Sequence, residues 1–167
     1  VVKFNRRDLG VALGDATREL SPLSFVSKKV RGLGVISDGV SHRSNVQATG
    51  DLPYDLVVNP SLPGSGDEGT AMLEIVHDLA PGASLYFSGA GTSVGMVNAI
   101  NWMVSQGVDV IIDDLGFFGQ PYFQDGSVAD AAASAVANGV VYVTSAGNEA
   151  QIHYQAAYVQ GISQGSY

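Results

Sequence analysis

The chain has 167 residues, a formal net charge of −8, 21 glycines and no cysteine. Its length supports one domain with a real core rather than two, and the missing cysteines exclude disulfides and thiolate metal sites. All the basic residues (Lys3, Arg6, Arg7, Arg18, Lys28, Lys29, Arg31 and Arg43) precede Ser44, so the acidic remainder is a poor surface for nucleic acid. Buried carboxylates in that remainder must accept hydrogen bonds from amides, share protons or bind a cation. No apolar run approaches the length of a membrane span, and the opening "VVKFNRRDLG" lacks the apolar core and cleavage site of a signal peptide.

Residues 1–28 read as a lead-in arm, in which "RRDLGVALGDATREL" is a short helical stretch interrupted by glycines. From residue 29 the punctuation is regular. "VRGLGVIS" predicts a buried strand ending at Asp38-Gly39, and "YDLVVNP" predicts a second. Apolar residues at Met72, Ile75, Val76 and Leu79 predict a helix from Thr70 to Leu79, stopped by Pro81-Gly82. "ASLYFSGA" is a third strand. A helix from Val94 to Ser105 follows, with Val97, Ile100 and Val104 on one face, and Gly107 ends it. "VDVIIDDLGF" is the fourth strand. Ser127 to Ala137 is an Ala-rich helix with Val128, Ala132, Ala135 and Val136 inward, and "VVYVTSAGN" is the fifth strand.

Strands alternating with helices of this length imply βαβ units: an α/β fold with a parallel sheet and helices on both faces. The near-continuous apolar strands fit that arrangement. Right-handed crossovers bring the carboxyl ends of the strands to one edge, where such folds place their sites. Four segments converge there: "GVISDGV" (34–40), "GDEGTAM" (66–72), "DVIIDDLG" (109–116) and "TSAGN" (144–148). Each also has an ordinary structural reading. Glu68 suits the first turn of a helix through the dipole, Asp38-Gly39 suits a turn, and Asn148 suits a left-handed loop position. Asp113-Asp114 is less ordinary, since at least one of two adjacent acids at the end of an apolar strand faces a packed layer, at a cost of several kcal/mol, of order, unless satisfied.

Together these segments resemble the subtilisin-like serine peptidases, whose patterns of the types "VGVIDSGV", "HGTxVAxI", "DVINMSLGG" and "VAAGN" occur in this order. The resemblance spans roughly Lys29 to Glu149. It implies a subtilisin-like three-layer sandwich, of which residues 29–167 are the N-terminal portion, and a secreted or extracytoplasmic location. The departures are specific. Glu68 stands where the family has its catalytic His. Ser37 stands in the slot of the catalytic Asp, with Asp38 next to it. The "GTSxAxP" nucleophile segment is missing, and neither Ser163 nor Ser166 has that context. A Glu in the His position resembles the sedolisins, whose second acid lies one helical turn later, where this chain has Met72, and whose oxyanion hole uses Asp, where this chain has Asn148.

The resemblance implies a serine endopeptidase whose nucleophile lies beyond residue 167. Glu68 would be general base, Asp38 or Asp114 its acid partner, and Asn148 the oxyanion donor. Asp113, Leu115 and Gly116 would receive an extended peptide or protein substrate. An unperturbed Glu titrates near ~4.3, so activity is expected on the acidic side. By itself the 167-residue chain is expected to be inactive, and a half-domain would pair with its missing C-terminal part or with itself. No cofactor is expected.

Two other classes fit parts of the pattern. One is a non-catalytic subtilase-fold binding or scaffold domain, since the His-to-Glu change and the reversed "SD" are also what decay produces. The other is a receiver-like α/β domain holding Mg²⁺ or Ca²⁺ on Asp38, Asp113 and Asp114, although no Lys follows position 29 to complete it. His77 is read as a partner of its helix C-terminus, His42 as a residue close to the Asp38 turn, and Trp102 and Met103 as core or helix-flank residues.

Overall fold

The computed structural model describes residues 30–121 and 123–148. The lead-in arm read for residues 1–28, His153, Ser163 and Ser166 lie outside the described residues. Within them the chain runs β1 (Gly32–Ser37), α1 (Arg43–Thr49), β2 (Val57–Val58), α2 (Glu68–Leu79), β3 (Ser84–Gly89), α3 (Ser93–Ser105), β4 (Val110–Asp113), α4 (Ser127–Ala137) and β5 (Val141–Thr144). The strands form one parallel sheet in the order β2-β3-β1-β4-β5. This is the α/β architecture that the alternating strands and helices imply.

Alternation along each strand divides the core between two layers. Leu33 and Val35 of β1 and Val110 and Ile112 of β4 pack with Leu73 and Val76 of α2. Ile36 and Ile111 point the other way, into Met96, Ile100 and Met103 of α3 and Ala131 and Ala135 of α4. Gly34 lies on that second face, where a Cβ would stand 2.6 Å from Met103 Sδ. Continuing the alternation turns Ser37 and Asp114 toward the α2 layer and Asp113 toward α3 and α4.

The helix faces differ from those read off the sequence. In α2 the buried stripe is Gly69, Thr70, Leu73 and Val76, while Ile75 and Leu79 are exposed. The cause is Gly69: without a Cβ it seats against the Phe87 ring and the Gly39 carbonyl, which rotates the helix onto Leu73. In α3 the buried face is Met96, Ala99, Ile100 and Met103, with Val97 and Val104 only flanking it. In α4 it is Ala131 and Ala135, and Val136 is exposed. Small alanines let α4 lie close against α3; Val128 packs at the edge of this layer, as read from the sequence, while Val136 turns outward. Met103 is fully buried, and Trp102 makes an edge-to-face contact with Tyr86 at 6.3 Å. Helix α1 was not expected from apolar spacing because it buries no residue. It ends at Gly50, whose φ of +92° closes the helix in the left-handed conformation.

Candidate active site

Strand β1 is the middle of the sheet, and its last paired residue, Ser37, lies opposite Gly89 at the end of β3. Its chain turns away at Asp38-Gly39, while the chain continues past the ends of β3 and β4 as two arms. Neighbouring strands lie about 4.8 Å apart, so removing the central one leaves a gap about one strand wide. A cleft of about 480 Å³ opens there. Asp38 and Ser65 form one wall, Ala90 and Gly91 follow β3, and Leu115, Gly116 and Phe117 follow β4. The connection from β3 through α3 crosses β1 to reach β4, which makes this the switch point of the sheet, where open α/β folds bind ligands.

The glycines of the 64–69 loop are there for Asp38. The Asp38 carbonyl accepts the Ser65 N–H at 2.8 Å, and Gly39 bridges to Gly64. Gly64 and Gly66 have φ of +72° and +125°, and a Cβ on Gly66 would overlap the Asp38 carboxylate. Asp38 Oδ1 accepts the N–H of Gly39 at 2.5 Å and that of Gly69 at 3.2 Å. The carboxylate thus caps the first turn of α2 from another element, in place of Asp67, whose side chain makes no cap bond to the helix backbone.

Glu68 opens α2 on the rim of the sheet. It is exposed and makes no side-chain hydrogen bond among the described residues. The residue before it is tied down: Asp67 accepts the His42 backbone N–H at 2.8 Å and pairs with His42 Nδ1, while the Thr70 hydroxyl reaches its Oδ1 at 3.4 Å. The His42 hydrogen bonds hold the Asp67 carboxyl below the usual range. Ser41 adds two bonds to Gly66, from its N–H and to its Oγ. The acidic pair at the loop end and the histidine after the Asp38 turn were visible in the sequence, but not their partnership. His77 is elsewhere, in the last turn of α2 about 13 Å along the axis from Glu68, with a buried Nδ1 that has no partner among the described residues.

Asp114 lies on the α2 side beside the tip of β1. Ser37, fully buried, donates its hydroxyl to Asp114 Oδ2 at 3.0 Å. Among the described residues Asp114 Oδ1, which is buried, has no partner. Burial pushes the Asp114 pKa up to about 6; the Ser37 bond opposes this, and the charges of Glu68 and Asp38 reinforce it. Three of the predicted acids, Asp38, Glu68 and Asp114, are therefore electrostatic neighbours.

Asp113 does not join them. It is 3% exposed and faces α3 and α4, where Thr144 Oγ1 donates to its Oδ1 at 2.9 Å. Burial pushes its pKa up to about 6, against the hydroxyl of Tyr142, the hydroxyl of Thr144 and the N–H of Leu115, which all favour the charged form. It lines no part of the cleft, whereas Leu115 and Gly116 do. Asn148 follows β5, after the left-handed turn at Gly147 (φ +83°), and is exposed; no hydrogen bond joins it to Glu68. Among the described residues no group of three His, Asp or Glu side chains has the arrangement to hold a metal ion, and no helix is long and apolar enough to cross a membrane.

A family model described as the subtilase family matches residues 62–167, well over half of the chain. The chain belongs to the subtilase family. No curated protein and no solved structure matches it. Membership places this subtilase, at the level of the family, among the serine-type peptidases. Its strand tips differ from the family pattern in a paired way. Where that pattern has Asp in β1 and Ser in β4, this subtilase has Ser37 and Asp114. Because β1 and β4 pair with Ile36 opposite Asp113, the next positions are neighbours too, and Ser37 and Asp114 meet as a carboxylate–hydroxyl pair.

Proposed function

We propose that this subtilase is part of a serine endopeptidase in which Glu68 replaces histidine as general base and Asp114 is the acid that shares its proton. The observation that carries the reading is the Asp114 carboxylate. One oxygen is held by Ser37, the other is buried and unpartnered, and the Glu68 charge acts on both. A carboxyl in that setting keeps a proton in mildly acidic solution and offers it to a neighbouring carboxylate. Asp38, engaged by two backbone N–H groups, holds the start of α2 and with it Glu68.

In the complete protein a serine beyond residue 167 attacks the peptide carbonyl, and its proton passes to Glu68. Asn148 donates its side-chain amide to the tetrahedral oxyanion, a contact worth about 2.7–4 kcal/mol in comparable sites. The substrate lies as an added strand in the gap left by β1, against the backbone of Gly91 on one side and of Leu115 and Gly116 on the other. Both glycines have open space where a Cβ would project, which supports close approach of a second backbone.

The test is the pH–rate profile of the full-length protein and of its Glu68→Gln variant. A maximum on the acidic side, with a loss of at least about a hundredfold in the variant, is expected. An alkaline maximum, or a variant as active as its parent, removes Glu68 from the role of base. The second reading, a non-catalytic subtilase-fold binding domain, draws on the exposure of Glu68 and its lack of a hydrogen-bond partner. A full-length protein that binds peptides and cleaves none at any pH would establish it.

A further inference from the structure

We infer that Asp113 is a positioning residue that locks together the two arms of the cleft, residues 114–117 after β4 and residues 145–148 after β5; the inference rests on the peptidase reading above. Asp113 faces away from Glu68 and from the cleft, so it takes no part in the proton transfers. Its bonds nevertheless reach the second arm, and its own backbone leads directly into the first. Its side chain accepts the Thr144 hydroxyl at 2.9 Å, and its carbonyl accepts the Ser145 N–H at 3.0 Å. The Leu115 N–H and the Tyr142 hydroxyl lie close enough to favour the charged form of the same carboxyl electrostatically. Among the described residues β5 pairs only with β4, so these bonds, with the β4–β5 ladder, place residues 145–148, Asn148 included.

An apolar side chain would fill the same space, and the family pattern has Met at this position. Burying an acid instead is unfavourable unless donors surround it. A carboxyl bonded to the Thr144 hydroxyl adds direction where a methionine adds only volume, since a satisfied polar network fixes its members in one arrangement. The distance from the Gly116 backbone, on which substrate would lie, to the Asn148 amide, which would meet the oxyanion, runs through this network. Errors of about 1 Å in such distances are costly for catalysis.

The experiment uses the full-length protein and the variants Asp113→Asn, Thr144→Val and Tyr142→Phe, read by kcat, KM, thermal midpoint and the amide NMR signals of Gly116 and Asn148. Thr144→Val removes the bonded hydroxyl, Tyr142→Phe removes the second hydroxyl that favours the charged acid, and both leave the acid in place. In folded Asp113→Asn, kcat/KM falls at least about ten-fold, the two single-donor variants fall less, and the pH of maximum activity stays where it was. The Gly116 and Asn148 signals shift together in all three. If the variants lose only thermal stability, with kcat and KM within about two-fold of the parent and both signals unmoved, Asp113 is merely structural and the inference is overturned. Should Asp113→Asn fail to fold, the two donor variants decide. Should the protein prove to cleave nothing, the paired NMR shifts still decide, because they report the two arms without turnover. Activity surviving Glu68→Gln would count against the base and leave the Asp113 result standing.

Discussion

Ser37 Oγ donates to Asp114 Oδ2 at 3.0 Å, joining the buried end of the central strand to the acid beyond the end of its neighbour. The bond explains how the rim of the sheet keeps a carboxylate although β1 ends in serine. The side chains of adjacent parallel strands at the same level point to the same face, so the acid moves across one strand spacing and still faces α2.

Ser37→Ala removes a hydrogen bond that favours the ionised form of Asp114. The Asp114 pKa, already near 6, should rise further. A carboxyl NMR titration of parent and variant checks this. An unchanged or lower value would mean that the bond contributes nothing to the acid.

Asp113 makes stability depend on pH with a definite sign. Its folded pKa is pushed up from 3.8 to about 6, so between these values the folded protein holds a proton that the unfolded chain has released. Stability therefore falls as pH rises through that window, by an amount of order 3 kcal/mol for the whole of it. Asp114 acts in the same direction, with a smaller effect because it is half-exposed. Urea unfolding of parent and Asp113→Asn at both ends of the window is the measurement, and the variant should show a flatter dependence. An equal slope in both would contradict the buried acid.

Two glycine substitutions should behave oppositely. Gly66→Ala places a Cβ on the Asp38 carboxylate at a φ of +125° and should destabilise the fold by about 1–3 kcal/mol. Gly116→Val meets open space and should leave stability within about 0.5 kcal/mol. The valine projects where substrate would lie, so peptide binding should weaken while the thermal midpoint holds. A Gly116→Val protein with parental KM would argue against strand addition at this arm.

His42→Ala releases Asp67 from its lowered pKa, which should return toward the ordinary carboxylate value. An acid with a depressed folded pKa stabilises above its unfolded value and loses that contribution as pH falls through the folded one. Here the pair is largely exposed, with the His42 side chain 69% accessible, so the effect should be small and should shrink with added salt. NMR titration at low and high salt separates this from a buried pair, whose shift would survive the salt.

Much of this subtilase was legible in the residues. Apolar runs of strand length alternating with helical spacing identify a parallel sheet, and the order of four short motifs identifies the family even though the His and the Asp–Ser order depart from it. The complete lack of Lys and Arg after Arg43 implied that inner carboxylates would turn to amides, hydroxyls and one another. Asp109, which takes the N–H groups of Arg31 and Gly32 at 2.7 and 3.2 Å, together with Asp38, Asp113 and Asp114, does so. Helix faces were less legible. The periodicity of α2 allows Ile75 and Leu79 as easily as Leu73, and the choice is made by the close approach of Gly69 to Phe87, a contact between elements distant in sequence.

Adjacent acids carry the same lesson to the site. The letters "DD" state that one carboxylate faces a packed layer, and local pattern cannot name which. Pairing decides it. Val110 and Ile112 go to α2 and Ile111 to α3 and α4, so Asp113 is committed to the Thr144 hydroxyl of β5 and Asp114 to Ser37 and the neighbourhood of Glu68. Sequence alone determined the class of fold, the family and the kinds of group available at the rim. Tertiary structure alone decided which of them meet, because a strand assigns successive side chains to opposite faces, and what lies beyond each face is supplied by chain far away in the sequence.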